Sequence, residues 1–304
     1  MEQAPDGGPI PVFYNPRSGL GGQEDTDPLA EALRDAGVPA DPRAIPPVGL
    51  SAAITAAVAD GAAVIGVSGG DGTLLTAANA LAGSTAVLAP FPAGTLNHFA
   101  RRLGLEDLPL AARAIAAGDT VQVPLGVMDD RFFLNTATFG LYADVVRRRE
   151  RWRPLLRKWP AAAVAFFQTL AGMRELSISM EVEGKQITCE TPLVWVGVGW
   201  GSFPFVHESP DERALPDLEI VIMQPGSRIG AFFLMLRMLV ALRDKDRLRE
   251  DPALRFLHAR QLVIHARRHV GVTLDGEVMR CDSPIYVGIQ EGALSVRVPR
   301  PAAP

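Results

Sequence analysis

Three short glycine-bearing turns carry the polar residues of this sequence that are best placed to do chemistry. The central turn is Ser68-Gly69-Gly70-Asp71-Gly72-Thr73, in which three glycines surround one carboxylate. Backbone without Cβ atoms can approach a bulky anion closely, and the start of a following helix supplies N–H donors for a phosphate. The sequence therefore predicts an anion-binding turn around Asp71.

Two further turns of the same kind flank it. The earlier one is Asn15-Pro16-Arg17-Ser18-Gly19 and the later one is Gly94-Thr95-Leu96-Asn97. Three polar, glycine-bearing turns after apolar runs favour a nucleotide site over simple chain reversals. The Walker pattern with its lysine does not occur, which excludes a P-loop protein. Thr73 and Thr95 are predicted at helix starts, where a hydroxyl caps the helix or binds phosphate, and Asn97 is predicted one turn into a helix.

The elements that must position these turns alternate between strand and helix. Apolar strands are predicted over 9–14, 62–67 and 85–89, and helices over 28–36, 49–59 and 73–81. Strands that are apolar throughout and separated by helices indicate a parallel sheet covered on both faces. A nucleotide then belongs at the carboxyl ends of the strands, where all three turns lie.

The pattern changes after about residue 120. Strands with turn residues between them are predicted over 120–123, 132–137, 176–182, 193–198, 218–223, 261–266 and 284–289, and helices over 143–173 and 228–242. This is typical of an antiparallel β domain. We expect an α/β domain over 1–122 and a β-rich domain over 123–304, with the return of the last strand to the first domain left open.

Composition limits the class of protein. The chain has 304 residues, 48% hydrophobic and 21% charged, and a net charge of −4, which argues against a nucleic-acid binder. Cys189 and Cys281 lie far apart and show no metal-ligand spacing. The acidic N-terminus does not resemble a secretory signal, and the longest apolar run is too short to span a membrane. We expect a cytoplasmic protein, peripheral to the inner face of the membrane at most.

Taken together, the turns resemble the diacylglycerol kinase catalytic-domain family, which includes bacterial lipid kinases and sphingosine kinases. Residues 15–19 are similar to its NP-x-SG motif, 69–73 to GGDGT, 94–97 to GT-x-N, and Leu274-Asp275-Gly276-Glu277 to its DGE motif. The motifs occur in family order. The resemblance implies an α/β nucleotide domain, a β-sandwich-like domain and an active site in the cleft between them.

The resemblance also implies roles for residues. Asp275 would be the general base that receives the lipid hydroxyl proton, with Glu277 assisting nearby, although spacing alone favours a hairpin turn at Asp275-Gly276. The position of Asp71 among glycines itself suits a carboxylate that holds Mg²⁺, or orders water on that ion, near the phosphates, the alternative being a hydrogen bond within its own turn. ATP would contact a larger set of residues: Asn15, Pro16, Arg17, Ser18, Gly19, Gly69, Gly70, Gly72, Thr73, Gly94, Thr95, Asn97 and Glu277.

Several positions depart from the family pattern. Leu75 and Thr76 replace the usual Asn-Glu after GGDGT-x, and His98 replaces an Asp after the GT-x-N asparagine. The family's structural magnesium loop is reduced to a segment in which Asp217 remains as the candidate ligand. The first two departures bear on the substrate, and the last bears on a second metal ion.

One strongly basic segment, from Arg147 to Lys158, stands out in this acidic protein. Its arginines, with Trp152 and Trp159, suit either an anionic membrane surface or a solvated helix face. The family resemblance implies a lipid substrate, this segment is a candidate for peripheral contact with an anionic membrane, and homodimerisation is left open.

The prediction is an ATP- and Mg²⁺-dependent lipid kinase acting on a hydroxyl of diacylglycerol, a sphingoid base or a related amphiphile. One alternative is an NAD kinase or a kinase for another small hydroxyl compound. The other is a nucleotide-binding regulator without catalysis, which the substitutions at Leu75, Thr76 and His98 keep open.

Overall fold

The computed structural model describes residues 8–15, 28–152, 168, 172, 175–199, 217–240, 251–267 and 269–300. The chain forms two units, one of residues 1–125 with 291–304 and the other of residues 126–290. Pro16, Arg17, Ser18 and Gly19 lie outside the described residues, as do 153–158 of the basic segment.

The first unit contains a parallel sheet. Its elements are β1 (Ile10–Tyr14), α1 (Pro28–Asp35), β2 (Ala40–Ala44), α2 (Pro47–Ala59), β3 (Val64–Gly69), α3 (Asp71–Leu81), β4 (Val87–Pro92), α4 (His98–Arg102) and α5 (Leu108–Ala117). The strand order is β2-β1-β3-β4, and every pair is parallel. The central residues of β1, β3 and β4 are buried, and the helices pack as two pairs, α1 with α5 and α2 with α3.

Two strands cross the boundary between the units. β5 (Asp119–Met128) leads out of the first unit, and β16 (Ile285–Val298) leads back into it. The part of β16 that belongs to the first unit pairs in parallel with β4, with Ser295 opposite Val87. The first unit is therefore built from both ends of the sequence.

The second unit is antiparallel. Its elements are β6 (Arg131–Phe133), β7 (Thr136–Gly140), α6 (Leu141–Trp152), β8 (Leu176–Val182), β9 (Lys185–Thr191), β10 (Leu193–Val198), β11 (Leu218–Met223), α7 (Arg228–Val240), β12 (Leu254–Ala259), β13 (Gln261–Ala266), β14 (Val270–Leu274) and β15 (Glu277–Cys281). One sheet has the order β12-β11-β10-β7-β14-β15, and β9, β8 and β13 form the other with the first part of β16.

A core of apolar side chains lies between these two sheets of the second unit. β8 and β13 contribute residues such as Met180 and Ile264 from one sheet, and β7, β10 and β11 contribute residues such as Phe139, Val196 and Ile220 from the other. The predicted fold class, a parallel α/β domain followed by a β-sandwich-like domain, is confirmed.

Several element boundaries differ from the sequence-based prediction. The predicted strand over 132–137 is interrupted at Leu134 and Asn135, so that β6 and β7 are separate strands. β2, α5, β9 and β12 were not predicted, whereas the β14–β15 hairpin has its turn at Asp275-Gly276, where spacing alone favoured one. No helix within the described ranges combines the length and apolar character of a membrane span.

Candidate functional site

The 69–73 and 94–97 turns follow two neighbouring parallel strands, β3 and β4. Gly69, the last residue of β3, is in register with Pro92, the last residue of β4. Just beyond this pair, the Ala93 N–H donates to the Gly69 carbonyl at 3.0 Å. The 69–73 turn and the 94–97 turn consequently begin side by side at the carboxyl edge of the sheet, as the alternation of strands and helices predicted.

The glycines of these turns let the two backbones touch. A Cβ atom on Gly94 would lie 2.5 Å from the Gly70 Cα and 2.8 Å from the Asn97 Oδ1, too close for either contact. A Cβ atom on Gly69 would lie 2.4 Å from the Thr73 Cβ. At Gly72, by contrast, a Cβ atom would meet nothing within 4 Å. Packing within the protein accounts for Gly69 and Gly94, and Gly72 leaves exposed backbone open to an external group.

Asn97 holds the second turn together. Its φ of 51° is left-handed, a conformation that Asn tolerates better than most residues. Its side chain accepts from the Gly94 N–H at 2.8 Å and donates to the Gly94 carbonyl at 3.0 Å. The prediction that Asn97 lies one turn into a helix is wrong, because it is the N-cap residue that precedes α4.

Asp71 reaches from the first turn to the second. It is the first residue of α3, and its Oδ1 accepts from the Phe99 N–H of α4 at 3.0 Å. A carboxylate favours a helix N-terminus, where backbone N–H groups lack intrahelical partners. Asp71 therefore hydrogen-bonds to the neighbouring turn and not, as the simpler alternative had it, within its own.

The two predicted hydroxyls occupy different positions. Thr73 lies in the first turn of α3, and its N–H donates to the Gly70 carbonyl at 2.9 Å. Thr95 is exposed in a bend before α4, so the prediction that it lies at a helix start is wrong. The α3 N-cap is Gly70, which offers no side chain to the first N–H groups of the helix. The N–H groups of Asp71 and Gly72, which precede Thr73, therefore have no side-chain cap, as the predicted phosphate contact requires.

The third turn begins at Asn15, directly after β1. Tyr14 of β1 is in register with Ser68 of β3, so Asn15 follows at the same edge of the sheet as the two glycine turns. Ser68 is fully buried, and its hydroxyl has no hydrogen-bond partner within the described part of the chain.

The departures from the family pattern fall into two groups. Leu75 is buried against the core of the first unit, and the Thr76 hydroxyl donates to the Gly72 carbonyl one turn earlier at 3.1 Å. His98 is exposed as the first residue of α4. Only His98 therefore presents a changed side chain beside the second turn.

In the second unit, Asp275 fixes the connection between β6 and β7. It occupies the tight turn between β14 and β15, with φ values of 45° for Asp275 and 95° for Gly276 that are typical of an Asp-Gly hairpin. Its Oδ2 accepts from the Leu134 N–H at 2.6 Å, and its Oδ1 accepts from Asn135 and Thr136 at 2.9 and 2.8 Å. Glu277 is exposed at the start of β15.

Sequence reasoning missed this connection. The segment was assigned to a continuous strand, although Asn is depleted in strands and Asn135 was a signal against that assignment. The three consecutive N–H groups face a carboxylate about 140 residues later in the chain. Such a concave arrangement of backbone N–H donors binds an anion in many proteins, and in this protein the anion is a side chain.

Single carboxylates are the candidates for metal ligation. Among the described residues, no group of three or more His, Cys, Asp or Glu side chains is arranged to hold a metal ion. Mg²⁺ commonly binds through one or two carboxylates together with waters and substrate phosphates, and Asp71, beside a turn that is predicted to bind an anion, fits this ion. Burial raises the pKa of Asp217, and the neighbouring His258, 3.6 Å from its Oδ2, offsets only part of that effect.

The basic segment begins on α6. Arg147 and Arg148 are exposed, and Arg147 forms an ion pair with Asp144. α6 continues to Trp152, and residues 153–158 of the segment, together with Trp159, lie outside the described residues.

Comparison with known proteins places these features in a family. Residues 9–128 match the model of the diacylglycerol kinase catalytic domain. A probable lipid kinase YegS-like protein of Pseudomonas putida is 34% identical over 59% of this chain and 61% of its own length. A protein of the same name from Pseudomonas fluorescens is 30% identical over 76% of both chains.

More distant relatives cover more of the chain. A diacylglycerol kinase of Staphylococcus aureus is 25% identical over 88% of this chain and 85% of its own. The crystal structure of a putative diacylglycerol kinase from Bacillus anthracis has a TM-score of 0.68 at 21% identity, covering 95% of this chain and 97% of that one, and so has the same fold. The chain therefore belongs to the diacylglycerol kinase catalytic-domain family, as the two adjoining glycine turns, the DGE hairpin and these relatives together indicate.

Proposed function

We propose that this protein is an ATP-dependent lipid kinase that transfers the γ-phosphate to a hydroxyl of diacylglycerol or a related lipid. The observation that carries the proposal is the pair of glycine turns held together at the carboxyl edge of the parallel sheet, through Gly70 and Gly94. The names of the relatives, lipid kinase and diacylglycerol kinase, support the substrate class.

The nucleotide phosphates belong at the start of α3. Gly70 caps that helix without a side chain, Gly72 is exposed with open space where a Cβ atom would be, and Thr73 adds a hydroxyl in the first turn. Backbone N–H groups and the helix dipole both favour negative charge at this point. The further proposed nucleotide contacts are Asn15, Gly69, Gly94, Thr95, Asn97 and Glu277, together with residues 16–19, which lie outside the described part of the chain.

Phosphoryl transfer depends mainly on positioning and on stabilisation of charge. The acceptor hydroxyl oxygen bonds to the γ-phosphorus, the bond from that phosphorus to the ADP oxygen breaks, and the hydroxyl proton passes to Asp275. Three backbone N–H donors fix the orientation of this carboxylate, as a general base requires. Mg²⁺, which Asp71 would hold directly or through water, supplies positive charge against the phosphate oxygens.

The test is a transfer assay with purified protein, Mg²⁺ and ATP labelled at the γ-phosphate. Mixed micelles containing diacylglycerol, sphingosine or total lipid extract serve as acceptors, and thin-layer chromatography separates the products. Labelled lipid is expected. Label in NADP when NAD is the acceptor would instead support an NAD kinase. ATP binding by calorimetry without transfer to any acceptor would support a non-catalytic regulator and overturn the proposal.

A further inference from the structure

The two glycine turns are tethered at two points, on either side of their contact through Gly70 and Gly94. At the sheet edge, the Ala93 N–H donates to the Gly69 carbonyl at 3.0 Å. On the far side of the 94–97 turn, the Phe99 N–H donates to Asp71 Oδ1 at 3.0 Å. The second tether is a side chain, so substitution can remove it while the sheet stays intact.

Asp71 thus replaces a cap that α4 lacks. Asn97 precedes α4 in a left-handed conformation, and its side chain bonds to Gly94 and not to the helix. The short helix His98–Arg102 would otherwise begin with an N–H group of Phe99 that has no side-chain acceptor. Phe99 is itself fully buried, which makes an uncompensated donor at this position costly.

We propose that Asp71 is a positioning residue that holds α4 and its turn against α3, so that the 69–73 and 94–97 turns bind the nucleotide as one unit. The functional part of this inference rests on the proposed function. In this role Asp71 acts through an acceptor oxygen and not through its charge. Asparagine presents an equivalent oxygen and is as good an N-cap residue as aspartate, whereas alanine presents none.

The test compares Asp71→Asn with Asp71→Ala. Hydrogen exchange followed by mass spectrometry, without nucleotide, reports on the amides of residues 97–103. Calorimetry with ATP in the presence of EDTA reports on nucleotide affinity without any contribution of Mg²⁺ ligation. We expect Asp71→Ala to speed exchange in this segment about fivefold or more, the usual effect of a lost cap, and to weaken ATP binding by a similar factor. Asp71→Asn should stay near the wild type in both measurements.

A matched control exists in the same unit. Asp107 caps α5 by accepting from the Leu110 N–H at 2.7 Å, and it is no part of the glycine turns. Asp107→Ala removes a cap of the same chemistry, so it should speed exchange at the start of α5 and leave both ATP affinity and exchange in 97–103 unchanged.

Three results would overturn the inference. They are unchanged exchange over 97–103 in Asp71→Ala, a loss of ATP affinity in Asp71→Asn equal to that in the alanine variant, or a loss of ATP affinity in Asp107→Ala. Failure of the proposed function is detected separately, by the transfer assay. If wild-type protein binds ATP without transferring phosphate, both measurements still test the inference. If it binds no ATP, the exchange measurement alone decides whether Asp71 holds α4.

Discussion

Asp275 and Thr136 hydrogen-bond each other twice. The Asp275 N–H donates to the Thr136 carbonyl at 2.8 Å, and the Thr136 N–H donates to Asp275 Oδ1 at 2.8 Å. Leu134 and Asn135 donate to the same carboxylate, so the proposed general base is also the residue that closes the β6–β7 connection. Substitution of Asp275 should therefore change both the stability of the fold and the rate of phosphoryl transfer, and the two effects are measured separately.

We expect Asp275→Asn to lower the free energy of unfolding by about 1–3 kcal/mol, as a buried donor left without its acceptor does. Asparagine has one acceptor oxygen, and its amide nitrogen would face an N–H donor where the second carboxylate oxygen now accepts. Urea unfolding measures the loss. Glu277→Gln, exposed on the same hairpin, is the control and should be neutral. An Asp275→Asn variant as stable as the wild type would show that the carboxylate does not stabilise the β6–β7 connection.

The base role is tested with the same variant at a temperature where it is fully folded. Asp275→Asn should reduce kcat for lipid phosphorylation roughly a hundred- to ten-thousand-fold, the usual contribution of general-base catalysis. ATP affinity should be nearly unchanged, because asparagine keeps the size of the side chain and removes only its basicity. If ATP affinity collapses as well, Asp275 contributes to nucleotide binding. If kcat is retained, another group accepts the proton.

The glycines of the turns should separate packing from ligand approach. Gly94→Ala places a Cβ atom 2.5 Å from the Gly70 Cα and should cost about 1–3 kcal/mol of stability. Gly72→Ala meets no atom within 4 Å and lies in α3, so it should leave stability unchanged or raise it by up to about 1 kcal/mol.

ATP affinity should nevertheless fall in Gly72→Ala if phosphates approach that backbone closely. Thermal unfolding and calorimetry on both variants give the comparison. Undiminished ATP affinity in Gly72→Ala would move the phosphates away from the start of α3.

The exposed arginines at the end of α6 predict binding to anionic membranes. Arg148→Gln should weaken binding to vesicles containing phosphatidylserine by about 1 kcal/mol, and added salt should have the same effect. Arg147→Gln should weaken it less, because Arg147 already pairs with Asp144. Arg34→Gln, an exposed arginine of α1, is the control in a vesicle sedimentation assay. Equal binding of all variants at low salt would assign this end of α6 to a solvated helix face.

The raised pKa of Asp217 should be detectable in the pH dependence of the protein's stability. Burial raises the pKa of its carboxyl above the ordinary value of 3.8, and the charge of His258 only partly offsets this. Because the folded protein holds this proton more tightly, the contribution of Asp217 to stability is greatest below pH 3.8 and falls as pH rises through the folded pKa.

Asp217→Asn, which cannot ionise, should therefore become more stable relative to the wild type as pH rises from acidic to neutral. Urea unfolding at several pH values without Mg²⁺ measures the difference, and a constant difference would contradict it. A rise in wild-type Tm on addition of Mg²⁺ that is absent in Asp217→Asn would support Asp217 as a metal ligand.

The sequence was informative where structure depends on local composition. β3 and β4 were predicted because their residues are apolar throughout, and the turns after them because glycines follow the strands. β2 was missed because its sequence, Ala-Asp-Pro-Arg-Ala, is polar and largely exposed at the edge of the sheet. Its strand conformation comes from pairing with β1 and not from its own residues.

Other features depend on contacts between distant residues. Asn97 was misplaced because its left-handed conformation is stabilised by a pair of bonds to Gly94 that helix propensity does not reveal. The strand over 132–137 is interrupted because Asp275 takes its N–H groups. Likewise, the bond from Phe99 to Asp71 joins residues 28 positions apart, so the sequence identified the carboxylate but not its partner.

The course of β16 limits how this protein can be divided. A fragment ending at residue 128, where the match to the catalytic-domain model ends, contains all three glycine turns but lacks Ser295 and Val296. Val87 and Leu88 of β4 would then keep β3 on one side but lose their β16 partners on the other, which would leave β4 as an exposed edge strand that favours aggregation. A fragment that carries the three glycine turns should therefore also need residues 291–298. A circular permutation, which links the original ends of the chain, would place these residues next to the N-terminal part.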